Sequence, residues 1–177
     1  MKRRTDLPEL LAPAGDMEAL QAAVAAGADA VYVGGKSFGA RAFAKNFDID
    51  ELSRAVRYCH LFGVRLYVTV NTLLFDKELS GVGEYIKELY RIGVDAIIVQ
   101  DLAVMKIAAK VAPKLELHAS TQMSIHNTLG ADVAYNMGAV RVVLARELPA
   151  RTCARAGARW PARRPGFRPV WSGKDRT

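Results

Sequence analysis

The stretch HASTQMSIHN, residues 118–127, holds the densest group of side chains that could do chemistry. His118 and Ser120 are two residues apart, and on a β-strand that spacing points both side chains to one side. A serine beside a histidine is the pairing of a nucleophile with its general base. Their Cβ atoms would lie about 6–7 Å apart and run parallel, which disfavours direct proton transfer. Substrate contacts or an internal polar network therefore fit the pair better than catalysis, and a plain strand end is the third alternative.

The segment VGGKSFGARAFAKNF, residues 33–47, is a second candidate, for binding an anion. Gly34 and Gly35 would let backbone N–H groups approach an anion, and Lys36, Arg41 and Lys45 would add positive charge. The segment is not a Walker loop and lacks G-x-G-x-x-G. An anion site and an ordinary loop between a strand and a helix both remain open.

Five further side chains have both a structural and a functional interpretation. Asp101 precedes an amphipathic segment and is predicted to cap a helix rather than to act as a catalytic acid. Glu9 begins the first strand and is predicted to be structural, at the floor of the fold. Arg146 and Glu147 would form a local ion pair or reach the interior, and His126 would lie on the surface.

A repeated sequence motif predicts the strands that position these residues. Four times, a glycine suited to the left-handed end of a helix precedes a β-branched run typical of a buried strand. The phrases are GADAVYVGG from Gly27, GVRLYVTVN from Gly63, GVDAIIVQD from Gly93 and GAVRVVLAR from Gly138. Two more predicted strands, ELLAPA at 9–14 and LELHASTQ at 115–122, lack the glycine.

Five helices are predicted between the strands. Asp16 and Asp48 are candidate N-caps of the first two. The second helix places four apolar residues on one face: Leu52, Val56, Cys59 and Phe62.

Six strands alternating with five helices predict a parallel sheet with right-handed crossovers. In RLYVTVN, polar residues from Arg65 to Asn71 alternate with aliphatic ones, which favours a barrel with inward polar groups over a doubly wound sheet. Six βα units are fewer than the eight of a complete barrel, which typically takes about 250 residues. The predicted fold is therefore α/β, an incomplete (β/α)8 TIM-type barrel of about six units over residues 1–148.

The net charge of +7 is confined to the end of the chain. Residues 151–177 contain seven arginines and one lysine against one aspartate, so residues 1–150 are neutral overall and offer no field that would attract phosphates. The two cysteines, Cys59 and Cys153, lack the spacing of a disulfide framework or a metal site, and no metal is predicted. Without a signal peptide or an apolar run of membrane-spanning length, the chain is predicted to be cytoplasmic and to have no membrane partner.

The chain closely resembles the collagenase-like peptidase family over residues 9–148. The segments that carry the resemblance are ELLAPAGDMEAL, VTVNTLLF, GVDAIIVQD, LHASTQMSIHN and RVVLAREL. The resemblance implies the N-terminal part of that family's barrel. It implies a peptidase with collagenase-like activity, or an iron–sulfur-dependent hydroxylation factor for tRNA, rRNA or ubiquinone precursors. The implied substrate is a peptide or an RNA.

The resemblance also marks residues at the mouth of the family's pocket. The matching positions are Pro13, Ala14, Gly15, Gly34, Gly35, Arg41, Lys45, Asn46, Asn71, His118, Ser120, Thr121, Gln122, Arg146 and Glu147. The substrate-binding candidates among them are Gly34, Gly35, Arg41, Asn46, Asn71 and Gln122. No catalytic residue is assigned, and the candidates are His118, Ser120, Arg146 and Glu147.

The chain departs from the family after RVVLAREL. The family continues into a cysteine-rich signature that holds its iron–sulfur cluster, whereas Cys153 stands alone within residues 149–177, so no cofactor is expected in this chain. Three interpretations of that tail are open. We favour a frame shift or truncation over a disordered extension and over a basic arm that would stack bases on Trp160, Phe167 and Trp171.

Two functional hypotheses follow from these observations. One is an enzyme of the family that is active only if the missing half is supplied. The other is an inactive barrel fragment with at most weak nucleic-acid binding through the basic tail. An open six-stranded sheet would leave two unpaired edges, so we also expect self-association through them.

Overall fold

The computed structural model describes residues 9–39 and 46–148 with their side chains, and residues 168–170 as backbone. The strands are β1 (Leu11–Pro13), β2 (Ala30–Gly34), β3 (Arg65–Val70), β4 (Ala96–Val99), β5 (Glu116–Ala119), β6 (Ala139–Val143) and β7 (Arg168–Val170). The helices are α1 (Met17–Ala25), α2 (Ile49–Leu61), α3 (Leu79–Arg91), α4 (Leu102–Val111) and α5 (Thr128–Asn136). Short 3-10 turns span Asp76–Glu78 and Thr121–Met123.

The strands form one parallel sheet in chain order, and the helices between them confirm the predicted incomplete α/β barrel. The six predicted strands are confirmed as β1 to β6, and the sheet has one further short strand, β7, which pairs with the outer edge of β6, with Arg141 opposite Arg168. An unpaired strand edge offers a row of N–H and C=O groups, and a short segment of backbone is enough to bond to it. The rest of residues 149–177, and with it the predicted tail, lies outside the described residues.

The helix boundaries follow the local signals in the sequence. Asp16 and Asp48 accept hydrogen bonds from backbone N–H groups at the first turns of α1 and α2, as predicted. The glycines that open the four repeated phrases all have positive φ, between 69° and 100°. These positions therefore end the helices in the left-handed conformation that residues with a Cβ rarely adopt.

The main core lies between the helices and the outward face of the sheet. Leu52, Val56 and Cys59 are buried in it, as predicted, whereas Phe62 is 58% exposed. Phe62 comes after the last residue of α2, where the helical periodicity no longer directs a side chain to the core. None of the helices in the described ranges is long and apolar enough to cross a membrane.

The inward face of the sheet carries a second, smaller apolar cluster. Tyr67 is fully buried there with Ala30, Ala96 and Ile98. Arg65 and Tyr67 alternate along β3 with Leu66 and Val68, which belong to the main core. The predicted separation of inward polar and outward aliphatic side chains is therefore observed on this strand.

Candidate functional site

The carboxyl ends of the parallel strands share one rim of the sheet. The pairing register places Gly34, Thr69, Ile98, His118 and Arg141 on neighbouring strands at one level. We call the residues that follow this level, in the loops after the strands, the mouth. In barrels of this architecture, binding and catalytic side chains gather at this end.

Two amide side chains join across the mouth. Asn71, directly after β3, donates from Nδ2 to Oε1 of Gln122, after β5, over 2.6 Å. The bond brings together two predicted substrate-binding residues that are 51 positions apart in the chain. Amide groups have both donors and acceptors, so this pair can hydrogen-bond a neutral polar group.

The glycines at the end of β2 allow close packing. A Cβ at Gly34 would lie 2.7 Å from Oδ1 of Asn46, and a Cβ at Gly35 would lie 2.0 Å from the Tyr85 hydroxyl. Any larger residue at either position would displace these side chains. The structure therefore brings the predicted residues Gly34 and Asn46 together, and it adds Tyr85, which the sequence pattern did not indicate.

The positive charge predicted for the loop after β2 is partly neutralised. Lys36 lies 2.9 Å from Oδ2 of Asp48 and 3.8 Å from Oε2 of Glu51. The hydrogen bond to Asp48 raises the pKa of Lys36, and the N–H of Glu51 lowers the pKa of Asp48. Arg41 and Lys45 lie outside the described residues, so the anion site stays a prediction.

Ser120 and Thr121 use their hydroxyls to hold the turn after β5. Ser120 is 3% exposed, and its Oγ accepts a hydrogen bond from the N–H of Gln122 over 3.2 Å. Thr121 donates to the carbonyl of Leu144 over 3.2 Å. These contacts give both side chains a local structural role beneath the exposed Gln122.

His118 lies in the interior below the mouth. It is 1% exposed, its Nε2 is 3.3 Å from Oε2 of Glu116, and its ring packs edge-on against Tyr67 at 4.6 Å between centroids. Burial lowers the pKa of His118, while the hydrogen bond from His118 lowers the pKa of Glu116. A neutral histidine thus donates from Nε2 to a carboxylate. Among the alternatives for His118 and Ser120, these contacts match an internal polar network.

A cluster of charges crosses the interior at the floor, and we call Glu9, Arg65, Tyr67 and Arg141 the Glu9 cluster. The Glu9 carboxylate accepts hydrogen bonds from Arg65, from the Tyr67 hydroxyl at 3.1 Å, and from Arg141 at 2.5 and 3.0 Å. The predicted structural role of Glu9 is thus observed. The sequence reasoning missed Arg141, although one arginine in the apolar strand AVRVV was a usable signal.

Arg146 and Glu147 lie in the turn after β6, and both are exposed. His126 is also exposed, with Nδ1 2.8 Å from the carbonyl of Ser124, as predicted for a surface residue. The three side chains are therefore available to solvent near the mouth.

Asp101 caps α4, as predicted. Its Oδ1 accepts from the N–H groups of Ala103 and Val104, and its Oδ2 accepts from the N–H of Leu74 over 3.1 Å. One carboxylate therefore fixes both the helix and the loop that follows β3.

Replacing Asp101 tests whether its carboxylate stabilises α4 and the loop after β3. We expect Asp101→Ala to lower the free energy of unfolding by about 1–2 kcal/mol, because three buried or half-buried N–H groups lose their acceptor. Urea unfolding followed by circular dichroism measures the change, with the exposed Asp76→Ala as the matched control. A loss no larger than that of the control would contradict the capping role.

The described residues do not fit an iron–sulfur cluster. Cys59, on α2, is the one cysteine among them. Its burial in the main core raises its pKa to about 11, so it is a thiol rather than a thiolate ligand. Within residues 9–39 and 46–148, no group of three or more His, Cys, Asp or Glu side chains could hold a metal ion.

Comparison with known proteins places this arrangement in a family. The family model described as "Peptidase family U32" matches residues 15–159. The tRNA hydroxylation protein P1 of Bacillus subtilis is 42% identical over 82% of this chain and 35% of its own length. The 23S rRNA 5-hydroxycytidine C2501 synthase of Escherichia coli is 43% identical over 79% of this chain and 21% of its own length. A collagenase of Porphyromonas gingivalis is 38% identical over 79% of this chain and 33% of its own length.

A solved U32 peptidase has the same fold. Its TM-score is 0.73 at 12% identity, over 90% of this chain and 68% of that one. The chain described above spans between about a fifth and about a third of the length of the curated relatives named here.

Proposed function

Because this chain belongs to peptidase family U32, we propose that it is the substrate-binding half-barrel of a protein that acts in RNA hydroxylation. The observation that carries the proposal is the amide pair of Asn71 and Gln122 at the mouth. A pair of this kind can recognise the edge of a base, which presents both donors and acceptors.

The relatives and the interior contacts support RNA over peptide hydrolysis. Two relatives, at 42% and 43% identity, are named for hydroxylation of tRNA and of rRNA, and a third, at 41% identity, is named as an uncharacterized protease. Proteolysis would need an activated nucleophile, and His118 directs its Nε2 to Glu116, while Ser120 Oγ accepts from a backbone N–H. The collagenase relative keeps peptide hydrolysis as the second candidate.

The charge distribution sets the expected mode of RNA binding. Residues 9–39 and 46–148 carry 16 acidic and 12 basic side chains, so the excess of basic residues lies in the other parts of the chain. We therefore propose that phosphate contacts come from those basic segments, while the mouth selects a base. We further propose that this half-barrel binds the substrate without holding an iron–sulfur cluster itself.

The test is binding of an unmodified tRNA transcript, measured by fluorescence anisotropy at low salt and over a salt series. We expect Asn71→Ala with Gln122→Ala to weaken binding about tenfold, since losing the mouth's hydrogen bonds removes about 1.4 kcal/mol. The matched control is Gln21→Ala with Asn136→Ala, two exposed amides outside the mouth.

Three outcomes contradict parts of the proposal. Binding that is unchanged in the mouth variant would remove the base-selecting role of the amide pair. No binding of tRNA at any salt concentration would contradict the RNA proposal. Cleavage of gelatin that disappears in His118→Ala and in Arg146→Ala would favour the peptidase candidate instead.

A further inference from the structure

The Glu9 cluster joins strands that are far apart in the sheet. Neighbouring strands lie about 4.8 Å apart, so β1 and β6, five spacings apart, would be separated by about 24 Å in a flat sheet. Glu9, two residues before β1, nevertheless meets both Nη atoms of Arg141 on β6 at 2.5 and 3.0 Å. The bidentate contact therefore spans the interior of the curled sheet.

The partners of Glu9 also form the walls around His118. Tyr67 packs edge-on against the His118 ring, and Arg141 is the register partner of His118 on β6. The guanidinium carbons of Arg65 and Arg141 lie 5.5 and 5.4 Å from the centre of the Tyr67 ring. Glu9 thus holds in place the groups that surround the buried histidine.

Within residues 9–39 and 46–148, few charged groups face His118. Its own strand contributes Glu116, β3 contributes Arg65 and the Tyr67 phenol, β6 contributes Arg141, and β4 contributes the apolar Ile98. Glu9 supplies the carboxylate that compensates the two guanidinium groups. Without the Glu9 carboxylate, Glu116 would be the one negative charge among these groups that opposes the field of Arg65 and Arg141 at His118.

We propose that Glu9 is a positioning residue for His118, acting through Arg141 and Tyr67 to fix the ring and its protonation state. This inference is independent of the proposed RNA function. The proposed role and a purely structural role predict shifts of the His118 titration midpoint in opposite directions when the Glu9 charge is lost. Loss of the Glu9 charge leaves two cations that disfavour protonated His118, whereas loosening of the fold would hydrate the ring and favour protonation.

The experiment is an NMR titration of the imidazole signals of the three histidines in the full chain, assigned with His118→Asn. In Glu9→Gln we expect the His118 midpoint to move to lower pH, by more than any change at exposed His126 in the same sample. In Arg65→Met, which removes a cation, we expect the midpoint to move to higher pH. Glu84→Gln, at a 77% exposed side chain, is the matched control and should leave it unchanged.

Glu9→Asp keeps the charge and tests rescue. We expect its His118 midpoint to stay close to that of the parent chain. A shift to higher pH in both Glu9→Gln and Arg65→Met would overturn the proposal, because both would then report loosening. Equal shifts in Glu9→Asp and Glu9→Gln would also overturn it. If Glu9→Gln does not fold, Glu9→Asp decides: a His118 midpoint close to that of the parent chain is expected, and a shift to higher pH would overturn the proposal, because it would report loosening although the charge is kept.

Discussion

Arg141→Met is expected to lower the free energy of unfolding by about 3 kcal/mol. The Arg141 side chain is 4% exposed and the Glu9 side chain 14% exposed, so the substitution would leave a largely buried carboxylate short of its best partner. Removing one partner of a buried ion pair costs about 3–5 kcal/mol. The lower end applies because Arg65 still pairs with Glu9, and because Arg141 Nε has no hydrogen-bond partner among the described residues.

Urea unfolding followed by circular dichroism measures this loss, and Arg54→Met at an exposed position is the control. We expect the control to stay within about 0.5 kcal/mol of the parent chain. Adding Glu9→Gln to Arg141→Met should recover part of the loss, since the unpaired charge is then gone. A loss below about 1 kcal/mol for Arg141→Met would contradict the stabilising role of the Arg141–Glu9 ion pair.

Gly35→Ala is expected to lower the free energy of unfolding by about 2 kcal/mol. The new Cβ would lie 2.0 Å from the Tyr85 hydroxyl and 3.2 Å from its Cζ, so the half-buried tyrosine must move. Overpacking of a core costs about 1–3 kcal/mol, and the reduced freedom of the unfolded chain returns a fraction of it. Gly15→Ala, where no atom lies within 4 Å of the new Cβ, should be neutral or slightly stabilising.

The Tyr85 hydroxyl provides the second arm of this test. It is buried without a hydrogen-bond partner among the described residues, and burial raises the pKa of Tyr85. Tyr85→Phe alone should therefore change stability little. Combined with Gly35→Ala, it should recover more than half of the loss, because the shortest contact disappears. Additive losses in the double variant would show that the contact with Tyr85 is not the cause.

The alternation of strands and helices could be predicted because its signals are local. Glycines at the helix ends, the caps Asp16, Asp48 and Asp101, and the β-branched runs each act within a few residues of their own position. The predicted rim of strand ends also follows from the order of elements, since parallel strands place their carboxyl ends together. The pairing of Asn71 with Gln122 is consistent with that rim, but its hydrogen bond was not predictable from spacing.

The errors arise where the local pattern stops. Phe62 continues the apolar face of α2 in the sequence, but the helix has ended and its side chain is exposed. The first and fifth strands are shorter than ELLAPA and LELHASTQ suggested, because pairing with β2, β4 and β6 sets their length. Strand β7 was missed because a three-residue segment carries little periodicity of its own.

The sequence by itself determined the parallel α/β barrel architecture, its core faces and the candidate residues at the mouth, since these depend on side-chain type and period. Tertiary structure alone decided that Glu9 meets Arg141, 132 positions away, that His118 turns to Glu116, and that Tyr85 packs on Gly35. These contacts depend on the curvature of the whole sheet and on which side chains it brings across the interior. No local spacing carries that information.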